Sequence, residues 1–502
     1  MNRRIPAMMS CLSLLTAVCA ASESGARLTP QNAGAVTDDA CLPFSMPDAG
    51  ALFSASKKVF AHYFYPFPLS VGNKSPSDDY YNRHYLNKDG ERGKWAAMGG
   101  YLRQRPLPVG VNSDRNWQLS NMQQEVRMAI ARGITGFTID VLSPKEVSGS
   151  DTHLQLLLSA AQSVDPRFKI LVMPDISALK SDADTVVKII AAVAPSSAAF
   201  RLDDGRLVVS AFNAGANSAD WWAGVLGQLK SRGISVAFVP TFLGWKGQAA
   251  AFAPISYGFA DWGTATARAA DAMKGDPDLA HKNYGKIYMM PVDPQQYRPK
   301  SSIYWEAGNS AAFRNGWMSA ISGNADWVQI VTWSDFSESS QIEPYTDASL
   351  RPDIGTGFYD LNAFYATWFL TGKQPTISHD VLYYFYRREA SNATAAAQST
   401  PNKIMNSSAE DNIELLAFLT APGELKITIA GQSVTQNAPA GVTSFKVPSA
   451  PGVPVFSLSR GGAQVFSFQG PIQIFGTAGL PTGVIDMTYW GGSASKSGVC
   501  AL

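Results

Sequence analysis

The sequence predicts a (β/α)8 TIM barrel followed by a C-terminal all-β, sandwich-like domain. Three observations carry that expectation. From Lys57 to Gly372, short β-branched or aromatic runs alternate with amphipathic helical stretches, as parallel strands with helical crossovers require. The runs number eight, over the length of a barrel with long loops. After Pro375 helical periodicity gives way to strands separated by Gly, Ser, Ala and Pro clusters. With 502 residues, 46% of them hydrophobic, the chain can bury a sizeable core in more than one domain.

In chain order, residues 1–21 read as an export signal: Arg3 and Arg4 precede an apolar run from Ile5 to Val18, and Ala20 or Ala21 offers a cleavage site. The run is too short to be retained across a bilayer, and no later segment is apolar for about 18 residues. The mature protein is therefore expected to be secreted or periplasmic, without a membrane span. A lipoprotein, cleaved before Cys19, is less expected because Val18 is a poor residue at that junction. Residues 22–56 form an N-terminal segment, 57–372 the barrel and 373–502 the sandwich. Cys11 and Cys19 leave with the signal, so Cys41 and Cys500 remain at opposite ends of the mature chain. Export to an oxidising compartment makes a disulfide between them the expectation, with two free thiols as the alternative.

The eight strands are read as Val59 to Phe67, Gly136 to Leu142, Lys169 to Asp175, Leu207 to Phe212, Ala237 to Phe242, Ile255 to Trp262, Lys286 to Val292 and Trp327 to Trp333. Met122, Val126 and Ile130 form an apolar stripe ahead of the capping Gly133. Further stripes are Leu154, Leu157, Leu158 and Ala161; Val186, Ile189, Ile190 and Val193; and Trp221, Val225 and Leu229. The longest loop, Leu69 to Asn116, follows the first strand and so belongs over the active face. Beyond the barrel, strands are read at Val381 to Tyr386, Ile413 to Leu419, Glu424 to Ile429, Thr443 to Val447 and Gln464 to Phe468. Internal repeats, charge runs and heptads are absent.

The charge balance narrows the partner. Lys plus Arg total 41 against 40 Asp plus Glu, which removes the field that a nucleic-acid or anionic-membrane binder uses. A neutral polysaccharide fits better, and a monomer is the default expectation. The five histidines show no pair at metal-ligand spacing, and G-x-S-x-G, Walker and dinucleotide motifs are missing. No metal site or cofactor is expected, with calcium left open.

In a barrel the chemistry stands at the C-terminal ends of the strands. Asp140, Asp175, Asp261, Asp293, Asp335 and Glu338 all fall there. Singly each could be a salt-bridge partner or a cap. The segment Ile330 to Ser339 is the most informative, because an apolar strand delivers Trp333 and then Asp335 and Glu338, three residues apart. Glycoside hydrolysis needs such a pair, one acid to protonate the leaving oxygen and one carboxylate to activate water or attack the sugar. The bland alternative makes Glu338 a cap. Trp245, Trp262, Trp305 and Trp333 at the rim, and Tyr80 and Tyr81 in the long loop, could stack on sugar rings or fill core. His62, Asp175, Asp261 and Asp293 join them as candidate substrate-binding residues, while Trp221 and Trp317, on helices, read as packing.

These motifs resemble glycoside hydrolase family 71, the α-1,3-glucanases or mutanases. Val59-Phe60-Ala61-His62-Tyr63-Phe64 is similar to the family's opening strand, Gly133 to Phe137 to its second, Asp204 to Ser210 and Val236 to Pro240 to middle segments, and Tyr288 to Val292 to the seventh. The family's closing motif W-N-D-Y-G-E-S stands here as Trp333-Ser334-Asp335-Phe336-Ser337-Glu338-Ser339. The resemblance implies an inverting, endo-acting glucanase with Asp335 and Glu338 as catalytic carboxylates and a third essential acid, for which Asp140 is the candidate. Ser334, Phe336 and Ser337 depart from the family pattern, which touches linkage specificity more than chemistry. Ile342-Glu343-Pro344 echoes the motif tail of family 99 endo-α-mannosidases, so a hydrolase of another α-linked glycan is the second reading and a non-catalytic glycan-binding protein the third.

Overall fold

A computed structural model describes residues 41–263, 265–348, 350, 354–405, 408–477 and 483–500. The expected export signal lies outside them. The described residues belong to one compact unit.

Eight parallel strands form the barrel: Lys58–Tyr63, Gly136–Val141, Lys169–Pro174, Leu207–Val209, Val236–Phe238 continuing as Thr241–Phe242, Gly258–Asp261, Ile287–Val292 and Trp327–Ile330. The fifth strand, expected as one run, is broken at Pro240, which has no N–H to give a ladder. Its first piece pairs with the fourth strand and its second with the sixth. Across the break Val239 N donates to Val209 O and Ala260 N to Pro240 O, so the ring stays closed. The first strand stops at Tyr63 rather than Phe67, because the amide of Phe64 is already committed to Ser334 Oγ at 3.1 Å. The eighth stops at Ile330 rather than Trp333, since the last three residues turn to carry the site.

Each strand is followed by a helix: Trp117–Ile130, His153–Val164, Ala183–Val193, Ala219–Ser231, the single turn Ala249–Phe252, Ala267–Ala272 leading to Asp276–Tyr284, Ala311–Ser322 and Gly357–Thr371. Thr152, Asp182 and Ser218 cap three of them through side-chain oxygens that accept first-turn amides. Val186, Ile189, Ile190 and Val193 of the expected stripes are wholly buried, but on Ala219–Ser231 it is Trp222, not the expected Trp221, that is buried with Val225 and Leu229. No described helix is long and apolar enough to cross a membrane.

The C-terminal region is two antiparallel sheets. Gly441–Pro448, Asn412–Leu419, Val381–Tyr386, Trp490–Ser495 and Gly498–Val499 form one; Gln432–Ala438, Gly423–Ile429, Val455–Arg460 and Ala463–Gln469 form the other. Strand alternation divides the first sheet between two cores. Val381, Tyr383 and Phe385 join the barrel core, while Leu382, Tyr384 and Tyr386 pack with Phe456 and Leu458 of the second sheet. The last barrel helix is therefore apolar nearly all round, with Phe358 on Phe385 and Phe364 on Phe418, ring centroids 4.9 Å apart in both pairs. Gly357 permits that approach: a Cβ there would lie 2.8 Å from the Gly491 carbonyl carbon. Cys41 and Cys500 are joined by a disulfide, Cα to Cα 5.7 Å, which ties the two ends of the described chain.

The loop after the first strand crosses the C-terminal face. Its short strand Arg105–Pro106 pairs with Tyr345–Thr346 beyond the eighth strand, and a buried Asp79–Arg105 ion pair, 2.7 Å, fixes its base.

Candidate active site

The turn after the eighth strand is built by Asp335. Its amide donates to Thr332 Oγ1 at 2.8 Å, and its Oδ1 accepts from Ser337 N, Ser337 Oγ and Glu338 N at 2.9, 2.8 and 3.1 Å. One carboxylate thus folds the turn that presents the other. Ser334 Oγ fastens the turn to the first strand by accepting from Phe64 N. Asp335 is buried, and burial, reinforced by the neighbouring charge of Glu338, pushes its carboxyl up to about 7. Glu338 is differently housed. The Arg298 guanidinium reaches its two oxygens at 3.0 and 3.1 Å, and the Gln296 amide donates to one of them.

The other rim acids fall into two groups, one on each side of this turn in strand order. Asp140, at the end of the second strand, is buried and raised well above the ordinary carboxylate range, by burial first and then by Asp175 and Asp335. Asp293, after the seventh strand, is raised well above it by burial, then by Asp261 and Glu338. His62 Nε2 lies 3.8 Å from Asp140 Oδ2, and the His62 ring meets the edge of Trp262 at 4.7 Å. Burial drives the His62 imidazole down to about 3, so it is neutral at any working pH. Among the described residues, His62 Nδ1 and Asp140 Oδ1 are buried with no hydrogen-bond partner.

The sequence profile described as Glycosyl hydrolase family 71 matches residues 109–501. The chain belongs to that family. It is a glycoside hydrolase. A glucan endo-1,3-alpha-glucosidase of Schizosaccharomyces pombe is 27% identical over 387 residues, 72% of this chain and 88% of the relative. An ascus wall endo-1,3-alpha-glucanase of the same yeast is 27% identical over 399 residues, 72% of this chain and 90% of the relative. Among solved structures, the GH99 endo-alpha-mannosidase of Bacteroides thetaiotaomicron is 15% identical with a TM-score of 0.46, covering 62% of this chain and 97% of that one.

In this family 71 hydrolase the aromatic candidates divide. Trp262 is half-buried beside His62 and lines a groove with Leu243, Gly244, Gly263 and Met273. Trp305 is half-buried, with the Arg298 guanidinium over its ring at 5.1 Å. Tyr80 is 37% exposed and held in its own loop by Glu91 and His84. Three expectations are corrected. Trp245 is wholly buried between Phe259 and Tyr288, its indole N–H donating to Asp276 at 2.9 Å. Trp333 is wholly buried against Phe137 and Tyr359, and Tyr81 lies under Arg105 with its hydroxyl donating to Pro68 O. None of the three offers a face to a sugar. Asp261 accepts from the amides of Gly244, Trp245 and Trp262, and Asp175 from that of Ala178, so both carboxylates organise rim loops.

Sequence reasoning missed the hairpin Gln296–Arg298 and Ile303–Trp305 after the seventh strand, which carries Gln296, Arg298 and Lys300 to the Asp335 turn. A Gln-Tyr-Arg-Pro run carries no strand signal, and nothing local marks its partner 40 residues away. Tyr101, from the long loop, also borders the turn, its hydroxyl raised to about 12 by burial and then by the charge of Asp335.

Proposed function

We propose that this glycoside hydrolase cleaves α-1,3-glucan, or a closely related α-linked exopolysaccharide, internally and outside the cytoplasm. The observation that carries the catalytic part is the inequality of two carboxyl groups on one turn at the end of the eighth strand. Asp335, raised to about 7, is suited to hold the proton given to the leaving glycosidic oxygen. Glu338, paired with Arg298, is suited to take the proton from the attacking water. Asp140, at the end of the second strand, is assigned as the third essential acid, and His62 beside it as a substrate-binding residue. Inversion and the α-1,3 linkage rest on the family and on what its yeast members are named for. Export rests on the amino-terminal sequence.

The test incubates purified wild type and Glu338→Gln with insoluble α-1,3-glucan, α-1,4-glucan, dextran and an α-mannan, and assays new reducing ends. Release from α-1,3-glucan alone, falling by at least about a thousandfold in the variant, is expected. Release from another polymer moves the substrate and keeps the site. Full activity in the variant removes Glu338 from the mechanism. The anomer formed first, followed by polarimetry, decides inversion.

A further inference from the structure

The hairpin that reaches Glu338 is not held by the barrel alone. Its feet are Gln295 and Glu306, and both grip the C-terminal region. Gln295 Oε1 accepts from Tyr489 N at 2.7 Å, and its amide donates to Tyr489 O. Glu306 accepts from the buried Arg387 guanidinium at 3.0 Å and from the Tyr489 hydroxyl at 2.7 Å. The outer strand, Ile303–Trp305, gains a parallel neighbour in Lys403–Ile404, with Lys403 N donating to Ser302 O and Met405 N to Tyr304 O. Beneath it Tyr297 and Tyr304 pack on Ile485 and Met487, and the Tyr297 hydroxyl bonds Asn402 Oδ1 and Ile485 O. On its inner side Tyr297 N donates to Glu338 O at 2.8 Å, Gln296 and Arg298 bond the Glu338 carboxylate, and Lys300 Nζ donates to Ser337 Oγ.

We infer that Arg298 is a positioning residue for Glu338, and that the Asn402–Met405 segment of the C-terminal region sets the hairpin from which Arg298 acts. The active site is thus completed by both parts of the chain. A guanidinium bonded to both oxygens of a carboxylate fixes its direction. Neither residue gives up a proton to the other: water loses a proton to Glu338 while its oxygen bonds the anomeric carbon, the glycosidic C–O bond breaks with its electron pair going to the leaving oxygen, and that oxygen takes a proton from Asp335. Arg298 only aims the first of these transfers. This rests on the reading of Glu338 as the base.

The experiment compares full-length Arg298→Ala, Arg298→Lys, Asn402→Ala and Glu338→Gln with wild type, reading kcat and KM on the polymer that the wild type hydrolyses. Arg298→Ala is expected to lose about a hundredfold in kcat, the penalty of a misplaced reacting group. KM stays within about twofold while binding contacts are untouched. Arg298→Lys recovers part of the lost kcat. Asn402→Ala, remote from the turn, lowers kcat by less, and hydrogen exchange speeds up in the peptide spanning 296–305 without a change in global protection. An unchanged kcat, a loss confined to KM, or no recovery in Arg298→Lys overturns the positioning role of Arg298. Unaltered exchange in Asn402→Ala overturns the part given to the C-terminal region. Full activity in Glu338→Gln instead sinks the underlying reading and is distinguishable from both.

Discussion

Behind the Asp335 turn two carboxyl groups are buried, and among the described residues no cation pairs with either. Glu343, whose amide donates to Trp333 O, is wholly buried, and among the described residues neither of its oxygens has a hydrogen-bond partner. Glu125, on the first barrel helix, is also wholly buried and accepts from the Tyr63 hydroxyl at 2.9 Å, with the Trp333 indole beside it. Burial raises Glu125 to about 8, and burial, then the charge of Glu125, raises Glu343 well above the ordinary range. Tyr63, Tyr81 and Tyr359 face the pair and are themselves pushed up by burial, while Arg105 lies beyond Tyr81. The folded protein therefore keeps protons that the unfolded chain releases above about pH 4.5. For such groups stability is fully present below the unfolded value and falls as pH rises toward the folded one, by about 1.4 kcal/mol per pH unit per proton. Glu343→Gln removes one of these protons while keeping the shape. Relative to wild type, the variant should gain stability as pH rises from 5.5 to 7.5, by up to about 3 kcal/mol, or up to roughly 3–6 °C in thermal midpoint. His62, lowered to about 3, works in the opposite direction between pH 3 and 6.5, but it is common to both proteins and cancels. Thermal unfolding followed by circular dichroism at the two pH values reads the difference. An equal offset between variant and wild type at both would show that Glu343 is ionised in the fold, and would refute the reasoning.

The buried and half-buried tryptophans should separate by assay. Trp245→Ala is expected to cost about 3–5 kcal/mol of stability, as a large core truncation does. Trp262→Ala should leave the midpoint nearly unchanged and raise KM about tenfold, the worth of one aromatic contact; equal midpoints for the two variants would erase the distinction. For the Cys41–Cys500 pair, non-reducing peptide mapping should recover the two cysteine peptides linked. Paired Ser substitutions should lower stability by about 3–5 kcal/mol, because the bridge closes nearly the whole chain. Alkylatable thiols in the native protein would contradict it.

The legible and illegible parts of this molecule differ by how local their causes are. Barrel strands declared themselves because each is buried on both faces and reads as a continuous apolar run, and helices because one stripe faces the sheet. The ends of the strands were less legible, since Phe64 and Trp333 are as apolar as the strands they leave and only Ser334 and Thr332 turn them aside. Gln432–Ala438, Val455–Arg460 and Trp490–Ser495 escaped notice because Ser, Gln and Gly sit among their residues, a solvated face in the first and close-packed glycines in the last. Asp335 and Glu338 were legible because three residues suffice to define a turn. Their unlike surroundings were not, since the Arg298 that meets Glu338 is brought across from the seventh strand by a hairpin whose own partners include Tyr489, Arg387 and Asn402. Trp245 was misassigned for the same reason: Trp245 and Trp262 stand alike at strand ends. Phe259, Tyr288 and, on a helix 31 residues beyond, Asp276 take the Trp245 indole inward, while Trp262 stays half-buried at the groove. A strand end therefore locates chemistry in a barrel, but what stands across the rim decides which side chain performs it.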